Sequence, residues 1–250
     1  RAYAELVDTN PKDIMKRGWD VWDNTLWWVY WGKVYVVWAD TWVGKSTFIS
    51  QVCNNVSKQG YRVVKYALED RMEDIGKEEI FYLVNRLRRK DGKPPYWRVE
   101  FVNNAINTDE FAWYINTASE ELLEMNIVEL DKKKQISIDE LITLMEEECE
   151  KWTRLFAIDH LHYFEMDTGK WSWRHDLQIQ NAMHKINELA RKYNVAVLLV
   201  AHYAKNKAFW SLDIPSYDDF KDGSAIKQVA NVIIQIARDI QEWWESSFHI

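Results

Sequence analysis

Residues 34–48 read VYVVWADTWVGKSTF, and this stretch decides the fold. Val34, Tyr35, Val36, Val37 and Trp38 form a short β-branched and aromatic run, the pattern of a buried strand. Residues 39–46, A-D-T-W-V-G-K-S, follow the phosphate-binding loop pattern, except that Ala39 takes the place of its first glycine. Residues 47–56, TFISQVCNNV, carry apolar side chains at helical spacing. The motif therefore lies between a strand and a helix, which separates it from a chance Gly-Lys-Ser. In such a loop the backbone of Ala39, Asp40, Thr41, Trp42, Val43, Gly44 and Thr47 cradles the phosphates of ATP. Lys45 reaches the β- and γ-phosphates, and Ser46 holds Mg²⁺.

A chain of 250 residues, 47% of them hydrophobic, can bury a large core and fits one sizeable α/β domain. Cys53 and Cys149 make no metal spacing and read as ordinary thiols of a reducing compartment, cytoplasmic in kind. No apolar run reaches the length of a membrane span, and no signal peptide is visible. The first residue is Arg1, so the natural N-terminus is expected to lie upstream. A net charge of −7 excludes a protein coated for nucleic acid, and leaves such contacts to local lysine clusters.

Tryptophan and glycine are out of proportion. There are 15 Trp and 8 Gly, so glycine is about 3% against an average of about 7%. Trp27 and Trp28 before a strand, Trp42 in the loop, Trp171 and Trp173 in a polar stretch, and Trp243 and Trp244 between charges stand where turn chemistry asks for glycine. Counting all 15 with the 8 glycines would bring glycine to about 9%. Many of these tryptophans are thus read as occupying glycine positions.

Residues 1–17 read as a linker or arm with a short helix before Pro11, and 18–250 as one ATPase domain. Further strands are expected at 61–68, 126–130, 155–158 and 195–201, with a last one closing 226–236. Helices are expected at 71–90, 110–125, 137–151 and 176–193, the third opened by a Ser137–Glu140 capping box. Residues 171–175 read as polar loop and 205–221 as a long loop. Strands alternating with helices predict an α/β fold with a mostly parallel sheet covered on both faces.

Asp159 closes an apolar strand, the second half of a nucleotide-hydrolysis site, where a carboxylate holds magnesium through water or Ser46. A capping or turn role is the plainer alternative. Glu69 follows the strand next after the loop and can polarise the water that attacks the γ-phosphate; Asp70 competes for that role. His202 follows the fourth main strand and can hydrogen-bond the γ-phosphate. Lys205, Lys207, Lys221 and Lys227 lie in or beside the loops beyond it, where they track a phosphate backbone or are simply solvated.

On ADTWVGKST, YALED, LFAIDHLHYF, NELARKYNVAVLLVAHYAK and SYDDFKDGSAIKQVANVIIQIAR, the chain resembles the RecA-like motor domain of hexameric replicative helicases. This is the DnaB-like group, with mitochondrial Twinkle and the phage helicase–primases. The last segment carries the resemblance furthest, because generic phosphate-loop proteins lack it. The resemblance implies a P-loop ATPase translocating on single-stranded DNA as a homo-hexamer, with a primase or other replisome proteins as partners and no membrane. It implies a bacterial or phage-infected cytoplasm, with a mitochondrial or viral setting as the other possibility. Glu69 would be the catalytic carboxylate, Lys45 and His202 would act on the phosphates, and Asp159 and Ser46 would serve the metal. Arg238 falls where some members place an arginine against the base. Lys205, Lys207, Lys221, Gly223 and Ser224 would face DNA in the central channel, the last two in a turn.

Asn231 stands where the family usually has aspartate, and the family's arginine finger would lie beyond Ile250. Two other readings share the core: a RecA-like or KaiC-like ATPase of recombination or regulation, and a nucleotide-binding scaffold without hydrolysis. Residues 221–231 favour the helicase over the former, and Lys45, Glu69 and Asp159 disfavour the latter.

Overall fold

Alternation along a single strand organises both layers of the core. The computed structural model describes residues 14–15, 29–39, 44–67, 72–102, 106, 108–131, 136–159, 173–201, 223–242 and 245–249. Strand β3 (Val34–Ala39) is preceded by β1 (Ile14–Met15) and β2 (Val29–Tyr30), which pair antiparallel with each other. On β3, Tyr35 and Val37 enter one core with Phe48, Ile49, Val52 and Val56 of helix α1 (Lys45–Lys58). Val34, Val36 and Trp38 enter the other. Period-two side chains on a strand covered on both sides give this continuous apolar run.

The sheet continues with β4 (Arg62–Ala67), β5 (Ile127–Asp131), β6 (Thr153–Asp159), β7 (Ala196–Ala201), β8 (Val232–Glu242) and β9 (Glu245–His249). Its order is β5-β4-β6-β7-β3-β8-β9. The first six strands are parallel and β9 closes the edge antiparallel. The second core is covered by α5 (Ile138–Glu150), α6 (Trp173–Tyr193) and α7 (Gly223–Val229), through Leu141 and Met145, Ile179, Met183 and Ile186, and Ile226 and Val229. The expected mostly parallel α/β sheet with helices on both faces is what the structure has.

Residues 1–69 and 127–250 form one compact unit and residues 70–126 another. The second unit contains α2 (Met72–Lys90), α3 (Arg98–Val102) and α4 (Asp109–Glu124), around Leu83, Val84, Tyr114 and Ala118. Its turn is held by Arg88, whose guanidinium lies 3.7 Å from the Tyr96 ring centroid and whose Nε donates to the Pro94 carbonyl at 2.8 Å. Thr108 caps α4 by accepting the Phe111 N–H, and Ser137 caps α5 by accepting the Glu140 N–H.

Several elements differ from the sequence expectation. Residues 223–229 are helical, and the strand begins only at Val232. Seven residues give barely two turns, too few for a helical period to outweigh a β-branched run. Trp173 and His175 belong to α6 rather than to a polar loop. Helix α3 and the β8–β9 pairing were not expected, and Ile14–Met15 is a strand within the arm. The helix before Pro11 and the loop at 205–221 lie outside the described residues.

One ion pair ties helix to sheet within the larger unit. Glu148 of α5 is buried and accepts from Arg62 of β4 at 2.8 Å and from Lys151 at 2.7 Å. Burial works against its carboxylate, but the hydrogen bonds and charges of Lys151 and Arg62 outweigh that and hold its pKa below the ordinary range. A carboxyl depressed in the fold adds stability above its unfolded pKa and loses it as pH falls through the folded value. Glu148→Ala should therefore lower unfolding stability by about 2–3 kcal/mol near neutral pH, since Arg62 is left half-buried without its partner. In urea titrations the gap between parent and variant should close as pH falls below the ordinary carboxylate range.

Candidate nucleotide site

Helix α1 begins in an unusual way. Gly44 is its N-cap with φ of +92°, and no side chain caps the first turn. Glycine is the residue that adopts this left-handed conformation without steric cost. The first turn contains no acidic residue and instead opens with Lys45, which is buried. The N-terminus of a helix carries partial positive charge and unpaired N–H groups, so a cation there is placed against the macrodipole. Backbone donors, a positive helix end and a buried ammonium together form a cradle for an anion of high charge, and polyphosphate fits it. Ser46 and Thr47, also in this turn, are exposed.

Strand register places the other candidates at the same edge of the sheet. Trp38 is in register with Ala201 at the end of β7, and Ala39 with Ile236 of β8. Ala67, at the end of β4, is in register with Asp159 at the end of β6. The carboxyl ends of β4, β6, β7, β3 and β8 thus lie side by side, where open α/β sheets bind ligands. Asp159 is half-buried and two strands from β3, about 10 Å at the usual strand spacing. The strand between them is β7, which His202 follows in sequence.

Asp40, Thr41, Trp42, Val43, Glu69, Asp70, His202, Lys205, Lys207 and Lys221 lie outside the described residues. Of Ala39 and Arg238 the strand positions are described, and Arg238 pairs in register with Phe248 of β9. Gly223 and Ser224 were expected in a turn and instead open α7, so a backbone turn is not what they present. Among the described residues there is no cluster of metal-ligating side chains, and no helix is long and apolar enough to cross a membrane.

Asn231 has a structural role that sequence reasoning noted only as a departure. Its Oδ1 accepts the Val34 N–H at 2.8 Å, and its own N–H donates to the Val34 carbonyl at 2.9 Å. The start of β8 is thereby fastened to the start of β3. An amide oxygen accepts here as a carboxylate would, which accounts for asparagine in a place where aspartate was expected.

A phosphate loop launched from a central parallel strand, with one strand between it and an aspartate-ended strand, defines a RecA-like nucleoside triphosphatase domain. The chain belongs to the DnaB-like helicase C-terminal domain family, which matches residues 15–247. It is an ATP-driven helicase motor of the replicative class. The ATPase domain of one DnaB-like helicase superposes with a TM-score of 0.74 at 18% identity, over 95% of this chain and 81% of that one. A second DnaB-like replicative helicase, solved in a study of its interactions with primase, superposes with a TM-score of 0.76 at 18% identity over 98% of this chain. This chain spans 58% of that helicase's length. No curated protein matches the sequence at a significant level.

Gly44→Ala should cost about 1 kcal/mol of stability, because a Cβ is strained at that φ. It should also weaken nucleotide binding by changing the direction of the first N–H groups. Chemical denaturation with and without ATP·Mg²⁺ separates the two effects.

Proposed function

We propose that the edge formed by β4, β6, β7, β3 and β8 hydrolyses ATP, and that hydrolysis drives this chain along single-stranded DNA as part of a homo-hexameric ring. The observation that carries the reading is the helix start at Gly44–Ser46, uncapped, free of acids and headed by buried Lys45. Residues 39–47 would cradle the phosphates, and Lys45 would neutralise the β- and γ-phosphates. Ser46 and Asp159 would hold magnesium, which offsets charge on the phosphate oxygens. Asp159 would act through water, given its two-strand separation from β3.

Glu69 stands two residues beyond Ala67 in the chain, on the far side of β6 from β7. Two residues reach about 7 Å, enough to carry a carboxylate from that strand end towards the gap between β6 and β3. There it would take a proton from the attacking water. His202 would sense the γ-phosphate, and Arg238 would meet the base. Lys205, Lys207 and Lys221 would hold the DNA backbone, with Gly223 and Ser224 at the helix start beyond them. Residues 18–250 would act as one ATPase domain, in which 70–126 is an elaboration between β4 and β5. A primase is the partner expected on family grounds, and a bacterial or phage-infected cytoplasm the setting.

Lys45 and Glu69 should fail differently. ATP·Mg²⁺ at about a hundredfold its Kd should stabilise the parent by about 2.7 kcal/mol. Lys45→Ala should lose most of that shift along with turnover. Glu69→Gln should keep it and hydrolyse at least about a hundredfold more slowly; hydrolysis at the parent rate would move the base to Asp70. Replacing Lys205 and Lys207 together by alanine should lower single-strand affinity, reduce its salt dependence and remove DNA stimulation of the ATPase, with basal hydrolysis little changed. Unchanged DNA binding at low and moderate salt would favour a regulatory ATPase.

A further inference from the structure

Four helices of this chain end in the same way. After α1, α2, α5 and α6 the chain turns through a residue with positive φ: Gly60 at +89°, Gly92 at +70°, Trp152 at +65° and Asn194 at +53°. The hydrogen bonds repeat as well. Gln59 and Gly60 donate to the carbonyls of Val56 and Ser57, Asp91 and Gly92 to those of Arg88 and Arg89, and Lys151 and Trp152 to those of Glu148 and Cys149. This is the left-handed helix stop, which glycine fills without strain and asparagine tolerates. A tryptophan there is an outlier. Its side chain is 77% exposed, so burial does not offset the strain. Sequence alone did not single out Trp152 among the glycine-like tryptophans, so the geometry is an independent observation of the imbalance between 15 Trp and 8 Gly.

We propose that residue 152 is glycine in the polypeptide made by its own cells, through a genetic code that assigns UGA to glycine. UGA lies one base from the tryptophan codon UGG and one base from the glycine codon GGA. It is a stop in the standard code, tryptophan in some codes and glycine in others. A gene that uses UGA for glycine, read by a code that gives it to tryptophan, gains tryptophan and loses glycine at the same positions, with no other residue type disturbed. The excess of one residue and deficit of the other in this chain have that form. The same exchange at position 42 would give the phosphate loop a second glycine. The inference is independent of the helicase reading, since a helix stop needs glycine whatever the domain does.

Two experiments test it. The tryptic peptide that starts after Lys151 and ends at Arg154, taken from the protein purified from its own cells, should have the mass of Gly-Thr-Arg. Tryptophan in that peptide would overturn the proposal. In recombinant protein, Trp152→Gly should raise the thermal midpoint by about 2–4 °C for a chain of this length. Trp152→Ala retains a Cβ at the same φ and should give little or none of that gain. Equal midpoints for the two variants, or a fall with glycine, would show that the position does not demand glycine.

Discussion

Everything functional in this chain depends on β3 being dry on both faces. Val34, Val36 and Val37 are fully buried, and β3 is hydrogen-bonded to β7 on one side and β8 on the other. Burying each such side chain is worth about 1.5–3 kcal/mol, and any shift of register would turn both faces at once. Asn231 adds a polar lock at the foot of the strand, where it occupies both the N–H and the carbonyl of Val34. The loop that leaves β3 therefore starts from a fixed point, which a preorganised phosphate cradle requires.

The head of α1 shows the converse, a place where local stability yields to function. An ordinary helix of this length would begin with a capping side chain and acids in its first turn. Helix α4 begins in that way, with Thr108 as cap followed by Asp109 and Glu110, and α5 has Ser137 followed by Asp139 and Glu140. Helix α1 has glycine, lysine and serine instead. The contrast within one chain identifies which helix start is built for an external anion.

What could be read in the sequence follows from length and context. Long apolar runs between helical stretches, such as 34–38 and 195–201, can hardly be anything but buried parallel strands, and the loop motif set their direction. The helices at 137–151 and 176–193 were legible from period and cap. Seven-residue α7 was not, because Ile226 and Val229 are spaced for a helix while the β-branched residues just after them read as strand. Parting of the chain into two compact units follows from contacts distant in sequence, which no local pattern encodes. The order β6-β7-β3, which puts a strand between the loop and Asp159, is likewise a matter of tertiary pairing. Trp152 was invisible for another reason: φ is a property of the folded backbone, and a lone Lys-Trp-Thr carries no sign of it.

The way α7 is held bears on how a nucleotide signal would be carried. A helix of seven residues does not stand alone. Here Ile226 and Val229 enter the core, Gln180 of α6 donates to Gln228, and the Asn187 amide donates to the Val229 carbonyl at 2.9 Å. Two residues further on, Asn231 grips β3. The chain between Ala201 and Gly223 is thus strung between β7, a central strand beside the phosphate-loop strand, and a helix pinned to α6. With both attachments set by buried contacts, a change of nucleotide at the sheet edge would be expressed within residues 202–222 rather than by movement of the elements that flank them. The lysines proposed to meet DNA, Lys205, Lys207 and Lys221, all fall inside that interval. A two-state element bounded in this way needs only the phosphate at one end to bias the grip along its length.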